Sequence, residues 1–328
     1  MSGVPDRWPE LDQADWSETR DALHMWLQIV GKYRLARTPW LNHSWHATFR
    51  PTPRGLTTGL IEDDGAAIEI AFDFHEENLE LDKGGGGREI VALQPMSVSE
   101  FHTSFRNALR SLGADDEFDG LPNEIEDPVA FSADTERRPF DIDAVRRFHR
   151  ALLSAAAVFE QYRTGFVGKS SPVHLFWGSF DLAVTRFSGR LAPLHPGGIP
   201  ALPDEVTREA YSHEVASAGF WPGGGPVEEA AFYAYAYPKP SGFEHSTIAN
   251  PKAFWDEGSG EFILPYEAVR SAKDPEGSLL EFLQDTFEAA CDLAGWDRDE
   301  LVCPIGTPLQ PRPLKPRPKD LQKDKGPT

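Results

Sequence analysis

Twice along this chain the spacing of apolar residues changes from helical to alternating and back. That order limits the fold more than any other feature. From about Asp15 to Gly31, the residues Trp16, Leu23, Trp26, Leu27 and Val30 recur at helical spacing, and Asp15 with Glu18 forms a capping-box-like start. Pro39 ends this region. Ala66, Ile68, Ile70, Phe72 and Phe74 then alternate with Ala67, Glu69, Ala71 and Asp73, as in a strand with one dry and one wet face. Leu79 and Leu81 continue the pattern, and the glycines from Gly84 to Gly87 mark a hairpin loop before Ile90 to Leu93. Ser97 with Glu100 opens a second helix, carrying Phe101, Phe105, Leu109 and Leu112 and stopped by Gly113.

Residues 114–140 are acidic, contain proline and show no period, so they read as a linker. The order then repeats. A helix from about Asp141 to Gly165 places Val145, Phe148, Leu152, Ala155 and Phe159 on one stripe. Strands are expected near 172–187, 211–219 and 230–237, with a short one near Phe262, before a last helix over about 277–294. Local sequence matches at the joints: Ile29-Val30-Gly31-Lys32 precedes Pro39, His43 and Trp45, and Phe166-Val167-Gly168-Lys169 precedes Pro172, His174 and Trp177. The expectation is an α+β fold of two related halves, each a helix, an antiparallel β-meander and a helix, joined by a pseudo-twofold duplication. The halves span 1–113 and 141–303, the acidic linker 114–140, and a disordered tail 304–328.

The tail holds seven prolines and a net charge of +4, leaving −24 on residues 1–303 of a chain whose total is −20. It is expected to favour polyproline II, with Pro313 to Pro316 fitting a minimal PxxP pattern. So acidic a body argues against nucleic acid as a partner, because phosphate binding needs a basic surface. No apolar run approaches the roughly 20 residues that cross a bilayer, and the first residues have no signal-peptide pattern. With only Cys291 and Cys303, no disulfide framework is available, and a cytoplasmic location is expected.

Familiar catalytic motifs are missing. Gly168-Lys169-Ser170 resembles the end of a phosphate-binding loop, but Arg163 stands where that motif needs glycine, and a helix rather than a strand precedes it. The histidines carry more information. His43 and His46 bracket Trp45, a spacing that puts both rings on one side of a loop or helical turn, where neutral imidazole is a common metal ligand. If 171–187 is one strand, His174, Phe176, Phe180, Leu182, Val184 and Arg186 share its core face. A cation buried there needs an anionic partner, from the protein or from a ligand. Gly178 could instead mark a bulge or tight turn that changes the parity. Tyr211 and His213 alternate with Ser212 and Glu214, and Tyr233, Tyr235 and Tyr237 form a stripe opposite Phe232, Ala234 and Ala236.

Several of these segments resemble a bacterial family catalogued as domain of unknown function 5996. They are Gln28-Ile-Val-Gly-Lys32, Leu41-Asn-His-Ser-Trp-His46, Arg54-Gly-Leu-Thr-Thr58, Ser171 to Arg190, Glu209-Ala-Tyr-Ser-His-Glu-Val215 and Gly219-Phe-Trp-Pro-Gly-Gly224. The resemblance covers roughly residues 8–297 and leaves out the tail. It implies membership and no particular reaction. Ser44 stands where the family pattern leads one to expect Trp.

Three readings follow from the residues. In the first, the protein is an enzyme acting on a small polar molecule in a His/Arg/Tyr-lined pocket between the halves. His174, His213 and Glu214 would be the catalytic groups, and Arg186 an anion clamp beside the substrate-binding Trp177, Tyr211, Tyr233, Tyr235 and Trp221. The cofactor would be a divalent transition metal held by His43, His46, His174 and His213. In the second, the protein binds a small molecule without catalysis, in an aromatic cage of Tyr233, Tyr235, Trp177 and Trp221. In the third it has no pocket and engages partners through its acidic body and basic tail. A small-molecule ligand is the partner expected by the first two.

Overall fold

The first helical pattern becomes α1 (Gln13–Arg37) in the computed structural model, which describes residues 6–224 and 227–312. Its cap is Asp12, whose carboxylate accepts from Ala14 N at 2.9 Å, rather than Asp15. The helix runs on past Gly31 until Thr38, where the following proline disfavours helical backbone. The alternating residues that follow form an antiparallel sheet. It comprises β1 (Arg50–Thr52), β2 (Gly55–Asp63), β3 (Ala66–Asp73), β4 (Asn78–Lys83) and β5 (Arg88–Ala92), ordered in space as in sequence. Ile68, Ile70, Phe72, Leu79 and Leu81 bury one face beneath α1 and α2 (Val98–Ser111). The expected capping box of Ser97 and Glu100 starts α2. Just before it β6 (Met96–Ser97) pairs with β7 (Arg137–Arg138).

Residues 114–140 hold only β7 as regular structure, yet they are packed. Phe131 is fully buried, Asp115 N donates to Asp63 Oδ2 at the end of β2, and Arg37 in the last turn of α1 donates to Glu117 O at 2.8 Å and Asp115 O at 2.9 Å, which lays the segment back along α1.

The second half begins with α3 (Ile142–Arg163), capped by Asp141. It continues through β8 (His174–Phe176), β9 (Asp181–Leu191), α4 (Asp204–Ala210), β10 (His213–Trp221), β11 (Ala231–Tyr237), β12 (Phe254–Asp256) and β13 (Glu261–Pro265). The helices α5 (Tyr266–Arg270), α6 (Pro275–Leu293) and α7 (Arg298–Leu301) follow. The six strands lie in the order β12-β13-β11-β10-β9-β8. From β8 to β11 the sheet is a meander like the first. It departs after that, because the β12–β13 hairpin folds back so that its second strand pairs with β11. The matched joints also differ: Val30-Gly31-Lys32 lies inside α1, whereas Val167-Gly168-Lys169 follows the end of α3.

The sheets meet edge to edge, where Phe49 and Leu175 exchange both backbone hydrogen bonds at 2.9 Å. Helices α1, α2, α3 and α6 form a layer across both. Among the described residues no helix is long and apolar enough to cross a membrane. Residues 304–312 of the expected tail contact the body, with Gly306 N donating to Thr164 Oγ1 at 2.9 Å beyond the end of α3. The rest of the tail, including the PxxP segment, lies outside the described residues.

The single strand across 171–187 is not formed. A tight turn at 177–180, with Phe180 at φ 56°, splits it into the β8–β9 hairpin. His174 then stands opposite Ala183, and directly paired residues point to the same face, so His174 and Arg186 lie on opposite faces. Arg186 faces the helices. Its guanidinium lies 3.4 Å from the Tyr162 ring centroid and 4.2 Å from that of Phe287, and it donates to the Tyr162 carbonyl in the last turn of α3. The expected anionic partner is therefore replaced by two aromatic faces and the negative end of a helix dipole. Replacing Arg186 with Ala should cost about 3 kcal/mol or more in stability, since packing, stacking and the helix-end contact go together. Lys should not restore it, having no plane to stack. Chemical denaturation of the three proteins measures this, and an unchanged midpoint in Arg186→Lys would contradict the stacking account.

Candidate functional site

The face of the second sheet away from α3 and α6 has no helix layer. Three stretches roof it instead: 40–47, 119–128 and 199–211, the last carrying the short α4. Between roof and sheet lies a cavity of about 980 Å³. Strand alternation supplies its floor. β9 contributes every second residue from Asp181 to Phe187; β10 contributes Val215, Ser217 and Trp221; β11 contributes Tyr233 and Tyr235; and β13 contributes Glu261. Gly219 shares this face and sits opposite Tyr233. A Cβ there would lie 2.3 Å from the Tyr233 ring, so the glycine lets the ring lie flat across β10. Laid down in this way, the Tyr233 hydroxyl reaches over to Asp181 on β9 and donates to its Oδ2.

The roof is held by polar residues of α1 that the helical pattern alone leaves unexplained. Gln28 donates to Asn123 O at 2.8 Å and accepts from Asn123 N at 3.0 Å. Lys32, one turn on and buried, donates to Asp119 at 2.6 Å and to Asn123 Oδ1 at 2.5 Å. Between them Gly31 leaves room for the Trp177 indole, which a Cβ would meet at 2.4 Å. His24 completes the clamp, bonding Trp177 O and Gly178 O at 3.0 and 2.9 Å. The clamp fixes Glu124, at φ 60°, directly above Gly178, where any Cβ would collide with its carboxylate.

Three carboxyl groups therefore line the cavity. Asp181 accepts from Ser179 at 2.5 Å and from Tyr233. Burial raises its pKa, and those two hydrogen bonds oppose the rise. Glu124 is pushed up to about 7, by burial first and then by the Asp181 charge. Burial, helped by Asp181 and Asp256, pushes Glu261 up to about 8. Its Oε2 is enclosed and has no hydrogen-bond partner among the described residues.

Of the aromatic residues anticipated for binding, Trp177, Tyr211, Tyr233, Tyr235 and Trp221 all line this cavity, with Tyr211 and Tyr235 joined hydroxyl to hydroxyl at 2.8 Å. The anticipated catalytic and metal groups are placed otherwise. His174 is fully buried at the edge of the sheet, edge-on to Phe176, and is not part of the lining. Burial, with Arg50 next, lowers its pKa to about 3. Glu214 accepts from Ser188 and Arg190, each at 2.8 Å, outside the cavity. Arg186 is behind the sheet. His213 lies 6.2 Å from His43, ring to ring, and is absent from the lining.

His43 does reach the cavity wall, in a turn where both it and Ser44 have φ 60°. Its two ring nitrogens are engaged, Nδ1 with Ala210 O at 2.7 Å and Nε2 with Lys169 Nζ at 2.6 Å, so neither is free for a metal. Burial lowers the pKa of both His43 and Lys169. His46 turns instead against Trp40. The four-histidine metal centre is not assembled, and among the described residues no three His, Cys, Asp or Glu side chains are grouped to hold a metal ion.

Glu124 falls in the segment expected as a linker, and Glu261 in none of the motifs. Nothing local distinguishes either from a surface acid, because their role depends on what packs above and below them.

Residues 8–303 match a family described as being of unknown function, DUF5996, and the chain belongs to it. No curated protein and no solved structure matches the chain.

The raised carboxyls give stability a definite pH dependence. Between the ordinary glutamic acid value of 4.5 and about 8, folded Glu261 holds a proton that the unfolded chain has released, so stability falls as pH rises through that window. Glu261→Gln should remove part of this slope. Its melting temperature should exceed that of the parent by several degrees above pH 8 and approach it near pH 5. Parallel slopes for the two proteins would show that Glu261 is not held protonated.

Proposed function

We propose that this DUF5996 protein binds a small organic molecule in the cavity between its second sheet and the roof clamped by α1. The observation that carries this reading is the cavity itself. Its volume of about 980 Å³ falls at the upper end of the range typical of small-molecule sites, and aromatic rings with a few polar groups line it. A fold with no use for such a space would be expected to fill it, since close packing is the rule in protein interiors. The aromatic residues foreseen as a cage all lie on its wall, which favours the binding reading over the enzyme built on His174, His213 and Glu214.

A catalytic reading keeps one foothold. Glu124, with its carboxyl near 7, is suited to exchange a proton at neutral pH. Its signature would be a Glu124→Gln protein that binds its ligand but no longer turns it over. The compartment we propose is a reducing cytoplasm, supported by two free cysteines, and the partner a small molecule rather than nucleic acid, supported by the net charge of −20. Descent of the two halves from one unit is part of the same proposal, supported by the shared meander order of their first four strands.

Phenylbutanol is a suitable first probe, having an aromatic body and one hydroxyl. Trp40, Trp45, Trp177 and Trp221 line the cavity, so its entry should change indole fluorescence saturably. Val206→Phe, which fills space from the α4 side without touching the carboxyls, should weaken binding roughly tenfold or more. Equal affinity in the two proteins would place the probe elsewhere.

A further inference from the structure

We infer that the ligand of this cavity carries a primary ammonium group, drawn to the acidic wall to which Glu124, Asp181 and Glu261 contribute, with its apolar body along the aromatic wall. The inference rests on the cavity-binding reading and concerns which end of a ligand the protein recognises.

The three carboxyls come from separate parts of the chain: the roof, the start of β9 and the start of β13. They are nonetheless close enough for the Asp181 charge to act on both of the others. Carboxyls gathered inside a protein ordinarily face an arginine or lysine, and among the described residues none faces these. Lys32 is the one Lys or Arg among the lining residues, and it is engaged by Asp119 and Asn123 on the roof. Glu261 Oε2 is buried with no hydrogen-bond partner among the described residues, and the half-buried Glu124 carboxylate, on the cavity wall, meets no donor from them. Leaving enclosed acceptors unpaired is costly. Two acids without a protein partner thus lie near one whose charge meets no cation among the described residues.

A primary ammonium supplies three donors and a positive charge in one small group, and so answers both deficits. A neutral alcohol could satisfy one acceptor and would leave the charge of Asp181 uncompensated. A carboxylate would add a fourth negative group to an enclosed site. Burial that now favours the protonated forms of Glu124 and Glu261 would be offset by the incoming cation, so the ionised forms become the bound ones. The surrounding rings are suited to the rest of such a molecule. Trp221 and Tyr233 lie 4.2 Å apart, centroid to centroid, beside Asp181, and their faces favour a cation and its adjoining methylenes.

The test compares three probes of one shape at neutral pH by calorimetry on the full chain: phenylbutylamine, phenylbutanol and phenylbutyrate. The amine should bind at least roughly tenfold more tightly than the alcohol, and the carboxylate more weakly than both. In the double variant Glu124→Gln, Glu261→Gln, which preserves shape, the advantage of the amine over the alcohol should fall severalfold, Asp181 retaining the remainder. Retained alcohol binding there shows that the variant is folded and its cavity open. Equal binding of amine and alcohol by the parent, or an amine preference undiminished in the double variant, overturns the ammonium inference and leaves the cavity reading standing. No binding of any of the three probes overturns the cavity reading and this inference with it.

Discussion

The clamp between α1 and the chain crossing above the second sheet is the interaction on which the arrangement of the site depends. Gln28 and Lys32 are one helical turn apart and therefore on one face, and both spend their polar ends on Asn123 and Asp119. Gly31, between them, admits Trp177 of the β8–β9 turn. A helix of the first half thus holds the connecting segment and the leading hairpin of the second half in one place. Those bonds hold Glu124 over Gly178 in a segment, 114–140, that has almost no regular structure of its own. A buried lysine is costly in isolation and is tolerated here because its donors are met by a carboxylate and an amide oxygen.

The two faces of the second sheet have opposite physical characters. On the helix side Leu182, Val184, Ala218, Phe220 and Phe232 pack into the common core, and Arg186 is accommodated only by stacking and by the end of α3. On the other side alternation brings Asp181, Thr185, Ser217, Tyr233, Tyr235 and Glu261 to a surface that the long helices leave uncovered. Polar groups are affordable on that face because the roof encloses space rather than packing against it. The shifted carboxyls are the electrostatic consequence: groups removed from bulk water and gathered near one another resist ionisation.

The family motifs become intelligible once placed on this frame. Gln28 to Lys32 is the clamp. Gly178-Ser179-Phe180-Asp181 is the turn beneath Glu124 together with the first carboxyl and its hydroxyl donor. Gly219-Phe220-Trp221 is the strand end on which Tyr233 lies. His43 and Lys169, from the two matched joints, meet at 2.6 Å on the cavity rim. That contact was invisible in either segment alone. Each glycine here is required by the close approach of another side chain, a need that sequence spacing does not express.

By itself the sequence determined the class of structure: α+β, with helices where apolar residues recur at helical spacing and antiparallel strands where they alternate. Those patterns record which face of an element must leave water, and local backbone geometry converts them directly into helix or strand. It also marked the aromatic stripe of Tyr233 and Tyr235, because period-two alternation assigns a face without reference to the rest of the fold. Tertiary structure alone decided which face became a cavity, which residues closed it and which histidines were excluded. A tight turn at Gly178 reversed the parity relating His174 to Arg186, and a single such reversal moves a side chain from one side of a sheet to the other. Glu124, Asp181 and Glu261 stand far apart in sequence and were brought together by a clamp and a sheet register. Their chemistry arises from enclosure, a property that belongs to no segment until all of them have packed.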